Sequence, residues 1–301
     1  MFSTKFALGS KSVLGFTLAL AVCRLGVPQD DPQDHDHDHD HDHAHEDERA
    51  QAGAPPKNRL VVPMEELTPL PVPDELPDEI KTVVAELAKE GVTVDFAAKR
   101  IEVRGIVLLD KMNAGYPIEY LLVTSGGFTH EALGLVRCTP SKLNTAFLAF
   151  GMVPGKSVQY KQRDPLPPLE KIQSGEEREF DVFPPQGEVI DVFVRWTDTE
   201  GHERMHPIED LLVYLTNGQA IPRRGFVYVG SRFQKVLVGT KREERFMADV
   251  EGNILSLYLA GAGNCLFDPN SLEGAEGSIY DVNSALCPPR GTPVTYVFQR
   301  R

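Results

Sequence analysis

The chain has 301 residues and a formal charge of −13. The acidity is uneven: residues 29–50 hold ten acids against the single base Arg49, which leaves only −7 for residues 51–301. A field of that sign repels polyanions at long range, so nucleic acid is excluded as an expected partner.

The N-terminus reads as an export signal. Lys5 and Lys11 form a short basic region, and Val13 to Cys23 is an apolar run of eleven residues. Eleven residues are too few to cross roughly 30 Å of hydrocarbon, but they suit a cleaved signal peptide over residues 1–23. The expected location is the periplasm or cell envelope of a bacterium. Leu20-Ala21-Val22-Cys23 also approaches a lipoprotein box with Val22 in the small-residue position, so membrane association is expected only if Cys23 is lipidated.

Residues 24–58 have almost nothing apolar to bury and are expected to be disordered. Within them runs Asp34 to His45, DHDHDHDHDHAH. His35, His37, His39, His41, His43 and His45 alternate with Asp36, Asp38, Asp40 and Asp42, giving nitrogen and oxygen donors suited to Zn²⁺, Ni²⁺ or Cu²⁺. The carboxylates concentrate cations and can hold the imidazole N–H groups, and capture weakens below about pH 6 because a ligating imidazole must be neutral. A flexible tract offers many equivalent ligand sets, so capture rather than catalysis is the expected chemistry. The competing reading is a solubilising spacer.

Residues 59–77 carry five prolines among apolar residues and read as an extended connector. A globular domain over residues 78–301 follows. Pro77-Asp78-Glu79 opens a helix in which Ile80, Val83, Val84 and Leu87 share one face, and Gly91 ends it. Strands are predicted over 92–96, 100–109, 118–124, 132–137, 158–161, 178–183, 189–197, 202–206, 226–230, 246–250, 254–259 and 294–299. A second helix starts at Thr139-Pro140-Ser141 and stops at Gly151, and a short one fits 207–214. Asp198 to Gly201 reads as a hairpin turn, and so does Glu251-Gly252-Asn253. The fold class is therefore α+β, strand-dominated, with antiparallel sheets and a few short helices, possible as two halves meeting near 219–224. After Cys23, three cysteines remain, and Cys265–Cys287 is the expected pair; Cys138 reads as a buried small hydrophobe.

Two motifs look like chemistry and are rejected. His202-Glu203-Arg204-Met205-His206 matches H-E-x-x-H, which needs a helix to put both imidazoles on one face. Gly201 and Pro207 flank it and the pattern is that of a strand, where the two His stand about 13 Å apart at roughly 3.3 Å per residue. Gly151 to Ser157 resembles a phosphate loop but is one residue short between its glycines and follows a helix. A third segment stays in contention. Gly126-Gly127 reads as a tight hairpin from which His130 and Glu131 emerge, and Glu119 in the preceding strand is near enough to complete a carboxylate–imidazole cluster.

Glu119-Tyr120-Leu121, then Gly126-Gly127-x-x-His130-Glu131-Ala132-Leu133, then the Pro-Ser-opened helix resemble the YdjY domain. Val229-Gly230-Ser231-Arg232-Phe233, Ala248-Asp249 with Gly252, and Pro289-x-Gly291-Thr292-Pro293-Val294 resemble its C-terminal half. The likeness spans about residues 92–300. Phe128 stands where that family usually has Lys, and Ala132 where it usually has Ser. The resemblance implies an exported bacterial domain and brings no activity with it.

The functional expectation is an exported envelope protein whose Asp–His tract buffers or delivers divalent metal ions. Its globular domain binds an envelope partner or small ligand, and no cofactor is required. One alternative is a hydrolase-like enzyme using His130, Glu131 and Glu119. Another is a structural or interaction module.

Overall fold

Pro77 fixes the backbone ahead of α1 (Asp78–Lys89), whose first turn carries two acids and whose buried stripe is Ile80, Val84, Leu87 and Ala88. Gly91 ends the segment at φ 83 and leads directly into β1 (Val92–Asp95) and β2 (Arg100–Val107). In this computed structural model the described residues are Val62 and 67–301, except 111, 113, 260–262 and 275–277. The expected signal segment, Cys23, the Asp–His tract and residues 59–61 and 63–66 of the connector lie outside the described residues.

The chain continues through β3 (Tyr120–Val123), β4 (Ala132–Val136), α2 (Pro140–Ala149), β5 (Gln159–Gln162), α3 (Leu169–Gln173) and β6 (Phe180–Phe183). It then runs through β7 (Val189–Thr197), β8 (Glu203–Pro207), a single 3₁₀ turn at Ile208–Leu211, β9 (Leu212–Tyr214) and β10 (Phe226–Tyr228). Last come β11 (Phe233–Val238), β12 (Lys241–Phe246), α4 (Met247–Glu251), β13 (Asn253–Ser256), β14 (Phe267–Pro269), β15 (Tyr280–Val282) and β16 (Pro293–Arg300).

Eight strands close on themselves in the order β2-β16-β7-β10-β14-β13-β3-β4, with β4 returning to β2. The strand-dominated expectation holds, and the antiparallel sheets become a barrel with two parallel joints, β13–β14 and β3–β4. Closure depends on β2 dividing one edge between two partners. Arg100–Val103 pair with β1, and Gly105–Val107 pair with β4. In the same way β7 gives Val189 and Ile190 to β10 and Phe193–Thr197 to β8. Residues 219–224 link β9 to β10, and strands from both sides of that link belong to the one barrel.

Alternation places Ile101 and Val103 of β2, Tyr296 and Phe298 of β16, and Ile190, Val192, Val194 and Trp196 of β7 in the core. Tyr296 stands over the closing seam. A Cβ on Gly134 would lie 1.9 Å from its Oη, and one on Gly105 would lie 2.7 Å from its ring. The phenol donates to the Ile106 carbonyl at 3.2 Å. Helix α2 packs against the core through Phe147, whose ring meets Phe267 at 4.9 Å and Tyr228 and Phe298 at 5.6 Å. Asn144, one turn earlier, accepts the Tyr228 hydroxyl at 2.6 Å.

Four expectations are corrected. Residues 246–250 are not a strand: Met247–Glu251 form α4, started by the Ser231 hydroxyl, which accepts the Ala248 amide at 3.1 Å. Gly252 at φ 69 is therefore the left-handed end of that helix and not the tip of a hairpin. Gly126-Gly127 is no hairpin either, because β3 and β4 run parallel and residues 124–131 carry the chain back alongside β3. Cys265 and Cys287 are not joined; Cys138 and Cys265 are buried free thiols, and Cys287, half-buried, lies 3.6 Å from the Leu109 carbonyl.

Gly134→Ala forces a methyl into the Tyr296 hydroxyl and should lower unfolding stability by about 2–3 kcal/mol, or roughly 5–10 °C in melting temperature. Adding Tyr296→Phe removes the colliding oxygen and should recover part of that loss in the same thermal melt.

Candidate functional site

The parallel register of β3 and β4 sets Tyr120 opposite Ala132, so the residues just before them, Glu119 and Glu131, fall side by side. The backbone reinforces this: the amides of Glu119 and Tyr120 both donate to the Glu131 carbonyl, at 3.0 and 3.1 Å. The two carboxyl groups lie close enough for each to act on the other's charge. Ser278, on the approach to β15, donates its hydroxyl to Glu119 Oε1. His130 Nε2 lies 3.2 Å from Glu131 Oε1. The three residues singled out from the sequence therefore form a chain, with Glu131 in the middle.

Burial raises the proton affinity of Glu131, the Glu119 charge and hydrogen bond raise it further, and His130 partly offsets this. Among the described residues neither carboxyl is paired with a lysine or arginine. Tyr120 lies against the pair, and burial together with Cys265, Glu119, Glu251 and Glu131 disfavours its phenolate. Phe128 stacks on Tyr120 at 5.5 Å with the planes 8° apart, and its own ring, 43% exposed, lies 6.2 Å from His130.

The loop carrying Phe128 and His130 is held by close contact. A Cβ on Gly127 would sit 2.6 Å from Asn253 Oδ1 and 2.7 Å from the Gly252 carbonyl, so only glycine fits there. Asn253 is fully buried and its Oδ1 accepts the Phe128 amide at 3.3 Å. Beyond it, Glu251 has its carboxyl pushed up by burial and eased down by Asn264, Arg232 and Asn253. Residues that carry the YdjY likeness thus touch one another: Gly127 meets Gly252, Ser231 starts α4, and Asp249 accepts the Ser141 amide of α2 at 2.8 Å.

The rejected motifs stay rejected. Glu203–Pro207 is strand β8, so His202 and His206 share no helical face. His206 instead lies tilted against Trp196, ring centroids 5.5 Å apart, and His202 leans on Asp198 and Glu200 at 3.8 and 3.4 Å. Asp198, Glu200 and His202 are the one group of three metal-type ligands within 4.8 Å of one another among the described residues. Asp198 is already occupied by the Arg204 guanidinium and by the amides of residues 200 and 202, which hold its carboxyl below the usual range. The segment 151–157 straps the barrel wall. Gly155 donates to the Tyr228 carbonyl at 2.9 Å, and Ser157 donates to Asp268 Oδ2 at 2.6 Å. No turn of amides faces a phosphate there.

Asp268 is the ionisable group that pattern reading passed over. It sits in the apolar run Leu266-Phe267-Asp268, fully buried in β14, and its Oδ1 has no well-aligned donor among the described residues. Burial pushes its carboxyl up to about 6 against the help of Ser157 and nearby amides. Ser278 gave no sign in the sequence either, because it reaches Glu119 across 159 positions.

What fold and site define is a closed mixed barrel carrying a paired-glutamate cluster beside a glycine-anchored loop. The family model for the YdjY domain matches residues 92–299, and the chain belongs to the YdjY domain family. Neither the curated proteins nor the solved structures give a significant match.

Asp268 binds its proton more tightly folded than unfolded, so stability should fall as pH rises from about 4 through 6. A shift from 3.8 to about 6 corresponds to roughly 3 kcal/mol. Asp268→Asn should flatten the urea midpoint across that window, with a gain at pH 7 and none at pH 4.

Proposed function

We propose that this is an exported envelope protein that binds cations without catalysing a reaction. The Asp–His tract gathers divalent transition metals, and the barrel takes a basic group from an envelope partner or small ligand. The observation that supports the barrel half is the juxtaposed Glu119–Glu131 pair, which among the described residues forms no ion pair with lysine or arginine. Two adjacent carboxyls retain a proton because they cannot easily ionise together. An arriving ammonium or guanidinium displaces that proton and leaves two carboxylates around one cation. The exposed Phe128 ring beside His130 adds a π face of the kind that attracts such groups. The cluster is strung out through Glu131 rather than gathered around one point, which fits a basic side chain better than a three-ligand metal cage.

The two halves separate in calorimetry. Zn²⁺ titrated into the chain from residue 24 onward should bind strongly, and deleting residues 29–50 should remove most of the uptake; equal uptake by both forms would eliminate the tract. Trilysine titrated into the form lacking residues 29–50 tests the barrel. Binding should release protons, tighten as pH rises through the elevated Glu131 titration, and vanish in Glu119→Gln/Glu131→Gln. Phe128→Ala should weaken it about two- to fivefold, the size of an exposed cation–π contact. Unaltered trilysine binding by the double variant defeats this assignment.

A second reading draws on the same pair. A carboxyl with raised proton affinity next to a second carboxyl is the arrangement used for general acid–base chemistry, so a hydrolase-like activity would place Glu131 as acid and Glu119 as base. Turnover of any ester or glycoside that is lost in Glu131→Gln while trilysine binding persists would favour it.

A further inference from the structure

Strands β11 and β12 form a ribbon separate from the barrel. Phe233–Val238 pair only with Lys241–Phe246 among the described residues, in unbroken register from Phe233↔Phe246 to Val238↔Lys241, and Gly239 turns the chain at φ 62. Both faces are open. Phe233 is 51% and Leu237 71% exposed on one, and Val238 is 42% exposed on the other. Two strands alone are marginal in water, and an open apolar edge is a template for a third. The two edges differ in charge. Strand β12 presents Lys241-Arg242-Glu243-Glu244-Arg245, five charges in succession, whereas β11 presents only Lys235. A further strand is therefore blocked at β12 and admitted at β11.

We propose that the added strand is β11 of a second copy of this chain, running antiparallel about a twofold axis at Val236. Such an axis stands perpendicular to the sheet, so each residue meets one of the same face. An axis at Lys235 would set two lysines directly opposite each other, which is destabilising. An axis at Val236 sets Val236 against itself, Lys235 against Leu237 and Gln234 against Val238, with no like charges opposed. The hydrogen bonds agree with this register. A two-residue loop makes Val238↔Lys241 a bonded pair, so alternation turns the amides and carbonyls of Phe233, Lys235 and Leu237 toward the open edge. With the axis at Val236, Lys235 of one copy and Leu237 of the other exchange those bonds. The result is a four-stranded sheet with valines clustered at its centre and the charged β12 strands outside.

Light scattering after gel filtration of the full chain, over a wide concentration range, tests the proposal. The wild type should pass from monomer to dimer. Val236→Lys and Val236→Glu should each remain monomeric, and their equimolar mixture should dimerise, because residue 236 faces its own copy. Val236→Cys should form a disulfide-linked dimer on mild oxidation, and Lys241→Cys, on the blocked strand, should not. A wild type that stays monomeric throughout, or a dimer unaffected by Val236→Lys and not cross-linked through Val236→Cys, overturns it.

Discussion

The barrel holds together at the seam where β4 returns to β2, and Tyr296 makes that seam. Its ring occupies the volume that side chains on Gly105 and Gly134 would fill, and its hydroxyl satisfies the Ile106 carbonyl next to the joint. Because the phenol is fully buried, its charged form is strongly disfavoured and the group acts as a donor throughout the useful pH range. One large side chain over two glycines sets how closely β2 and β4 approach. That approach fixes β4, which fixes β3 beside it in parallel, and so brings Glu119 to Glu131. The chemistry of the candidate site depends in this way on packing on the far side of the same strand pair.

Some of this was legible in the sequence and some was not, for identifiable physical reasons. Helices α1 and α2 announce themselves through Pro77 and Pro140 at their starts and a repeating apolar face, and the β7–β8 hairpin through its turn residues Asp198–Gly201. The paired glycines at 126–127 suggest a hairpin because a glycine that turns a hairpin and a glycine that allows close packing look identical in one dimension; Gly127 is needed for its contact with Gly252 and Asn253. Phe246–Val250 is short and apolar enough for a strand, yet Met247–Glu251 form a helix whose first turn is held by the Ser231 hydroxyl, distant in sequence. The β11–β12 ribbon leaves no strand signal because five successive charges carry no alternation. Closure itself is non-local and left no trace.

The site repeats the pattern. Glu119, His130 and Glu131 were found because acids and imidazole near a turn are conspicuous, and they do come together. Ser278 and Asp268 were missed because one acts from a distant loop and the other is concealed in an apolar run. Asp268 and Glu131 hold protons for different reasons: burial with too few donors in the first, and burial with a neighbouring acid in the second.

The loop 124–131 has one more consequence. Glu119 and Glu131 are tied through the backbone, amide to carbonyl, so their spacing does not depend on which side chains the loop bears. Phe128 and His130 ride on that loop, outside the strands, and are free to change while the acids stay fixed. A substitution at Phe128 or His130 therefore changes the surface beside the two acids without touching the hydrogen bonds that place them.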